Sequence, residues 1–324
     1  MKYRRVAVIG GSGFIGRYVV QRIARKGAIV TVAGRRATAA GFLRPMGDVG
    51  QIALIDAGFA DEAALERALA GVDSVVISAG ILHESGKQIF DLVHAKGPAS
   101  VARLARQAGV RRLIHISAIG ADPNSPSAYA RSKAAGEAAV KAEFPDAAIL
   151  RPSIVFGPED DFFNRFAEMT RLSPLLPLIG GGYTRFQPVF VGDVADAVVA
   201  ALGGSDLSDA DAAGKTYELG GPEIYSFREL LELMLVETGR KRFLMPLPYR
   251  PASLMAFFFE LGKFLVKPPL TRDQVTLLKR DNVVASGMPG LAELGIVPTA
   301  LELILPTYLE RFRRGGRFAA LHTA

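Results

Sequence analysis

Gly10-Gly11-Ser12-Gly13-Phe14-Ile15-Gly16-Arg17 follows the apolar run Val6-Ala7-Val8-Ile9, and its reading decides the fold of this chain. A buried strand, a glycine turn and a helix start form the geometry that holds a dinucleotide pyrophosphate. Glycines let the backbone turn tightly and approach phosphate closely. The helix start then presents free N–H groups and a partial positive charge. Two spacings overlap. Gly11, Gly13 and Gly16 give G-x-G-x-x-G, while Gly10, Gly13 and Gly16 give G-x-x-G-x-x-G. The strand before the turn, and Tyr18, Val19 and Ile23 at helical spacing after it, supply the context that either motif needs.

Outward from that turn, short apolar runs alternate with helical patterns. Strands are expected at Val6–Ile9, Ile29–Ala33, Ile52–Ile55, Ser74–Ser78, Leu113–Ser117 and Ala148–Leu150, with helices such as Glu62–Ala70 and Pro98–Ala108 between them. This order predicts an α/β fold, a Rossmann-like doubly wound parallel sheet with helices on both faces. The runs are apolar throughout rather than alternating, as in strands covered on both sides. After Arg151-Pro152, Pro174, Pro177 and Gly180-Gly181-Gly182 mark a loop-rich excursion over residues 157–185 toward a second lobe. The chain is expected to return to the sheet at Gln187–Val191 and Thr216–Leu219. The expected division is a dinucleotide-binding domain over residues 1–222 and a smaller, mostly helical C-terminal lobe over 223–324.

The 324 residues suffice for both parts, and 49% of them are apolar. The absence of cysteine excludes disulfides, thiolate zinc sites and a cysteine nucleophile. The four histidines, His83, His94, His115 and His322, show no ligand spacing, so no metal is expected. Net charge is +7, scattered except for Arg311-Phe312-Arg313-Arg314-Gly315-Gly316-Arg317. That cluster could meet anionic lipid or an acidic partner. No nucleic-acid motif accompanies it, so nucleic acid is not an expected partner. Met1-Lys2-Tyr3-Arg4-Arg5 is too short for a targeting segment, and no run reaches the 18 apolar residues of a membrane-spanning helix.

An acidic residue after the second strand accepts from the ribose hydroxyls in many NAD sites. Here that strand ends Val32-Ala33-Gly34-Arg35-Arg36. Arg35 and Arg36, with Arg17, would bind a 2′-phosphate, which favours NADP(H) over NAD(H). The alternative is that they are loop charges. Asp56, at the end of the third strand, could accept from the adenine amino group or cap the following helix.

Tyr129 and Lys133 form Y-x-x-x-K on a helical segment, where positions i and i+4 share a face. A nearby ammonium lowers the pKa of a tyrosine hydroxyl and makes it a usable general acid–base. Ser117, ending the fifth strand, could hydrogen-bond the reacting oxygen.

The order glycine turn, Ser117, Tyr129 and Lys133 resembles the short-chain dehydrogenase/reductase superfamily. Leu150-Arg151-Pro152-Ser153-Ile154-Val155-Phe156-Gly157-Pro158 and Pro188-Val189-Phe190-Val191-Gly192-Asp193-Val194-Ala195 are similar to segments of its extended and atypical members. The resemblance implies a cofactor site of Gly10, Ser12, Gly13, Phe14, Ile15, Gly16 and Arg17 with Arg35, Arg36, Asp56 and Ala79. Ser117, Tyr129 and Lys133 complete it, with Lys133 on the nicotinamide ribose and Pro152 to Val155, including Ile154, near the nicotinamide. Ser117, Tyr129 and Lys133 are also the catalytic set, in use or vestigial. Where superfamily enzymes often carry an asparagine, this chain has His94, either a proton relay or a satisfied helical histidine.

Further strings narrow the resemblance. They are Arg44-Pro45-Met46-Gly47-Asp48-Val49-Gly50-Gln51-Ile52, Gly157-Pro158-Glu159-Asp160-Asp161-Phe162-Phe163-Asn164-Arg165-Phe166, Leu270-Thr271-Arg272-Asp273-Gln274-Val275 and Gly290-Leu291-Ala292-Glu293-Leu294-Gly295-Ile296. With them the chain resembles the NADPH-containing accessory subunit of respiratory complex I over nearly its whole length, in a bacterial form. That family implies tightly held NADPH in a structural or regulatory role. It also implies other complex I subunits as partners on the hydrophilic arm, near the membrane and the quinone entry, at the cytoplasmic face of a bacterial inner membrane.

Leu254 to Val266, with Phe257-Phe258-Phe259 and the flanking Lys263 and Lys267, is either core of the second lobe or wall of a substrate pocket, or else a face for a partner or lipid. A mean hydropathy of +0.23 tilts toward the latter. Two other functions stay open. One is a free NADP-dependent oxidoreductase or epimerase using Ser117, Tyr129 and Lys133. The other is an NADP(H) sensor without turnover.

Overall fold

The computed structural model describes residues 5–203, 212–261 and 268–316. The chain divides into two compact units. The first comprises the residues up to Pro152, Val191–Leu219 and Val284–Val297. The second comprises Ser153–Phe190, Gly220–Val283 and the residues from Pro298 on.

In the first unit, β1 (Arg5–Ile9) leads through the glycine turn into α1 (Phe14–Arg25). There follow β2 (Ile29–Gly34), β3 (Ile52–Asp56), α2 (Glu62–Leu69) and β4 (Ser74–Ile77). A π-helix, Asp91–Lys96, runs directly into α3 (Gly97–Gln107). β5 (Arg112–Ile116), α4 (Ala128–Glu143) and β6 (Ala148–Pro152) complete the series. The seven-stranded sheet runs Thr216–Leu219, β6, β5, β4, β1, β2, β3, with every pair parallel. This is the doubly wound architecture expected from the alternating pattern. Val6, Val8, Val30, Val32, Val75 and Ile77 are all fully buried, which explains why their strands carry no polar alternation. Strand order reverses between β1 and β4, so the carboxyl ends of these two strands open the crevice where such sheets bind ligands.

The second unit holds its own apolar core around Phe156, Phe163, Phe227, Leu230 and Leu305. Its helices are Phe163–Leu172, Phe227–Thr238, Tyr249–Leu261, Arg272–Leu277 and Leu301–Leu309. Ser226 and Thr271 each close a capping box at a helix start, with Glu229 and Gln274 as the reciprocal partners.

Two expectations are corrected here. Gln187–Val191 does not rejoin the large sheet; within it, Val189–Phe190 pairs with Val155–Phe156 as a separate parallel ribbon. The division at residue 222 is also replaced, because chain order and packing part company twice. Gly221 N–H donates to Gln187 O, which keeps residues 220 onward with the second unit. Residues 284–297 return to the first unit, where Glu218 N–H donates to Pro289 O at 2.9 Å and Ala285 N–H donates to Glu218 Oε2 at 2.9 Å.

One close approach sets the position of α4. A Cβ built on Gly136 would run into the backbone carbonyl of His94, in the π-helix. Gly136→Ala should therefore destabilise the fold by about 1–3 kcal/mol through overpacking, outweighing the gain of ~1 kcal/mol in helix propensity. Urea unfolding checks this, and a variant as stable as the parent would contradict the packing described.

Candidate functional site

The glycine turn is closely packed and leads into an uncapped helix start. Gly10 adopts φ +83°, and a Cβ there would sit 2.8 Å from Ala79 N, so the turn lies directly on the end of β4. Gly10 N–H donates to Ala33 O at 2.7 Å, tying the turn to β2 as well. A Cβ on Gly16 would collide with Gly10 O. Gly13 is the N-cap of α1; it offers no capping side chain, and the first turn contains no acid. Phe14, Ile15 and Gly16 thus start a helix whose terminal N–H groups and dipole suit a phosphate. Arg17 folds back over the turn, its Nε donating to Gly13 O at 3.3 Å and its Nη2 to Ser12 O at 3.5 Å, while its guanidinium lies 5.0 Å from the Phe42 ring centre.

The ends of β2 and β3 carry Gly34, Arg35, Arg36 and Asp56. Gly34 offers no carboxylate, and Arg35 and Arg36 are exposed. Asp56 is occupied in a way the sequence did not indicate. Thr38 donates to it twice, from N–H at 2.9 Å and from Oγ1 at 2.7 Å, and these bonds hold its carboxyl below the usual carboxylate range. The cap of α2 is Asp61, which accepts from Ala64 N–H, so the capping role weighed for Asp56 is overturned.

Ser117, Tyr129 and Lys133 gather at the carboxyl end of β5. Ser127 caps α4 by accepting from Ala130 N–H, which starts the helix so that Tyr129 and Lys133 lie one turn apart. Lys133 is buried and donates to Ile116 O, the last residue of β5, at 3.4 Å. Its ammonium lies 5.9 Å from the Tyr129 ring centre. Burial depresses its pKa to about 8, against a raising effect of Glu137. Ser117 follows β5 directly and is buried, with Oγ lacking a hydrogen-bond partner. The two halves of the site meet along the loop after β4. Ala79 lies against Gly10, and a Cβ on the next residue, Gly80, would be 3.5 Å from Lys133 Nζ and 3.8 Å from His94 Nε2.

The residues fit a dinucleotide. An uncapped helix start suits its phosphates, a buried hydroxyl without a partner suits a polar group, and an ammonium with three hydrogens spends one on protein. Pro152 ends β6, and its carbonyl accepts from Ile119 N–H at 3.0 Å. Ile154 belongs to the second unit, where its N–H donates to Asn282 Oδ1 at 3.0 Å.

His94 is a pin rather than a relay. Ile81 N–H donates to its Nε2 at 3.0 Å, so the proton resides on Nδ1, which donates to Ser132 Oγ at 2.8 Å; Ser132 in turn donates to Tyr129 O at 2.7 Å. Its ring stacks on Phe90 and meets Tyr129 edge-on at 5.4 Å. Burial first, then Lys133 and His115, press its pKa to about 3. His115, inside β5, is fully buried with neither ring nitrogen partnered, and burial followed by Lys133 lowers it to about 3 as well.

Sequence reasoning named Arg151 only as part of a motif and missed Glu137 and Glu218. Arg151 grips Glu137 through Nε at 2.8 Å and Nη2 at 2.6 Å, and reaches Glu218 at 3.5 Å. The visible signal was Glu137 standing four residues after Lys133.

In the second unit, the apolar stretch splits. Ala252 and Ala256 are fully buried, whereas Leu254 and Phe258 are 59% and 61% exposed and Phe257 and Phe259 are also exposed. Glu260 within it pairs with Arg272 at 2.7 Å. Lys263, Phe264, Leu265, Val266 and Lys267 lie outside the described residues, as does Arg317. The basic cluster is partly consumed internally, since Arg311 donates to Asn164 Oδ1 and Arg313 to Glu237 O. Among the described residues, no helix is long and apolar enough to cross a membrane, and no group of side chains is arranged for a metal.

Residues 6–220 match the NAD dependent epimerase/dehydratase family. The chain is 34% identical to "NADH dehydrogenase [ubiquinone] 1 alpha subcomplex subunit 9, mitochondrial" of Arabidopsis thaliana, over 95% of this chain and 78% of that protein. The Mus musculus protein of the same name is 36% identical over 94% and 80%. Among solved structures, dTDP-glucose 4,6-dehydratase of Streptomyces venezuelae superposes with a TM-score of 0.73 at 22% identity, covering 97% of this chain and 98% of that one. That likeness speaks to the fold alone.

The two buried histidines make stability depend on pH. Their folded pKa values lie below the ordinary value of 6.5, so the unfolded chain binds protons that the folded one excludes. The stabilisation is complete above about pH 6.5 and is lost as pH falls toward 3, by about 1.4 kcal/mol per pH unit for each histidine. Urea midpoints measured from pH 7 to pH 4 should fall accordingly. Midpoints that hold constant would contradict the buried neutral state.

Proposed function

The chain belongs to the NAD dependent epimerase/dehydratase family and to that of the alpha subcomplex subunit 9 proteins, and we propose that it is an accessory, cofactor-holding subunit of respiratory complex I. The observation that carries this reading is the reach of the similarity. A shared dinucleotide fold accounts for residues 6–220, whereas the subunit 9 relatives align over 94–95% of the chain. The later residues of the second unit, remote in sequence from the glycine turn, are therefore included.

The cofactor we assign is NADPH. The N–H groups at the start of α1 would take the pyrophosphate, Arg35 and Arg36 with Arg17 the 2′-phosphate, and Lys133 the nicotinamide ribose. Gly34, where a ribose-binding carboxylate would discriminate against that phosphate, supports the choice. Bound NADPH is a hydride donor; in the role proposed it acts by mass action, stabilising only the folded state it binds. The reading places the subunit peripherally on the hydrophilic arm, near the quinone entry at the cytoplasmic face of a bacterial inner membrane. The exposed side chains of Tyr249–Leu261 would there face neighbouring subunits or lipid.

A second reading is favoured by one observation, the survival of Ser117, Tyr129 and Lys133 at one end of β5 with a lysine that titrates near 8. In a free oxidoreductase, Tyr129 would move the proton and Ser117 would hold the substrate oxygen. Cofactor exchange separates the two, because an enzyme must release oxidised cofactor at each turnover.

NADPH should survive purification of the chain and bind more tightly than NADH. The variant Arg35→Ala/Arg36→Ala should lose about tenfold or more in NADPH affinity and little for NADH, as expected for charge-assisted bonds. Nicotinamide fluorescence titration reads both. Equal affinities in the parent would overturn the cofactor assignment, and rapid exchange with turnover would support the second reading.

A further inference from the structure

Lys133 and Glu137 stand four apart on α4, the spacing at which a lysine and a glutamate usually pair, and both are buried. They are not partners here. Arg151, on β6, occupies both Glu137 oxygens in a bidentate fork at 2.8 and 2.6 Å. Its remaining Nη1 reaches Glu218 Oε1 at 3.5 Å, and Glu218 is itself fixed because its Oε2 accepts from Ala285 N–H at 2.9 Å. The arginine is thus held between two carboxylates, and both oxygens of Glu137 are engaged by it rather than by Lys133.

No other element compensates Lys133 among the described residues. From α4 it meets the Tyr129 ring, and from β5 the Ile116 carbonyl and His115. From the π-helix it meets His94, and from the loop after β4 the backbone of Gly80. Both histidines are neutral at physiological pH and supply no countercharge. We propose that Arg151, held by Glu218, is a positioning residue that withholds the Glu137 carboxylate from Lys133, leaving the lysine of the cofactor site without an acidic partner. Lys133 then crosses between ammonium and amine within the physiological range, and the site carries a lysine whose charge responds to its surroundings. The relevance of that charge to a dinucleotide rests on the function proposed above; the titration itself does not.

The test is heteronuclear NMR titration of 13Cε-labelled lysines in the nucleotide-free full chain, with the Lys133 signal identified by its loss in Lys133→Met. In the parent it should titrate near 8. Arg151→Lys keeps the cation but can satisfy only one oxygen. It should free the other for Lys133 and raise the midpoint, up to the one to three units (roughly) that an adjacent opposite charge confers. Arg151→Met/Glu218→Gln removes the competing cation and one carboxylate together, leaves Glu137 and Lys133 as a balanced pair, and should raise it further. A raised midpoint in whichever of these variants folds supports the proposal. An unchanged or lowered midpoint in a folded variant overturns it. NADPH affinity measured on the same samples separates the two claims. A chain that shows the shifts and binds no NADPH refutes the cofactor role alone, while normal NADPH binding without the shifts refutes the positioning role alone.

Discussion

The helix start at Gly13 is the constraint on which the rest of the site depends. An α-helix leaves its first N–H groups without intrahelical partners, and a side-chain cap, water or a ligand can meet the need. In this chain α2, α4 and the helices after Ser226 and Thr271 are capped by a side chain; α1 is not, and neither are α3, Phe163–Leu172 and Leu301–Leu309. What replaces the cap is proximity. Gly10 bends the chain onto the end of β4, and Gly16 lets the first turn of α1 close over it. The uncapped end therefore stands at the point where strand order reverses, beside the loop that reaches Lys133.

Around that point, charge is managed by burial rather than by simple pairing. Lys133, His94 and His115 sit together, and desolvation pushes each toward its neutral form. The carboxylate that could oppose this, Glu137, is engaged by Arg151. Breaking a buried pair by removing one partner typically costs about 3–5 kcal/mol, so the Glu137–Arg151–Glu218 group also ties α4, β6 and the last strand of the sheet together. Stability and the charge of the site lysine are in this way set by the same side chains.

Much of this was legible in the sequence. The parallel sheet followed from short runs without polar alternation, and the glycine turn from its place between an apolar strand and a helical pattern. Tyr129 and Lys133 stood out by their i, i+4 spacing on a helical segment, and Ser117 by its place at the end of the fifth strand. What escaped notice depended on contacts between distant residues. The π-helix at Asp91–Lys96 is coupled to a close approach by Gly136, some forty residues later, and its sequence reads as an ordinary helix. Asp56 looked available because Thr38, which fills it, lies in an unremarkable loop. The unit boundary escaped because residues 284–297 rejoin the first unit through Glu218, a contact that no local pattern announces. Gln187–Val191 was read as a sheet strand for the converse reason. Its apolar residues do bury, but against the ribbon partner Val155–Phe156.

The central claim is that this fold holds NADPH as part of a larger respiratory assembly. The most direct measurement is affinity isolation of the tagged chain from native membranes, followed by mass spectrometry of the bound proteins and of the extracted nucleotide. The account predicts recovery with the subunits of complex I and with NADPH bound. Recovery of the chain alone from the soluble fraction, or with complex I subunits but with NADH as its nucleotide, would contradict it.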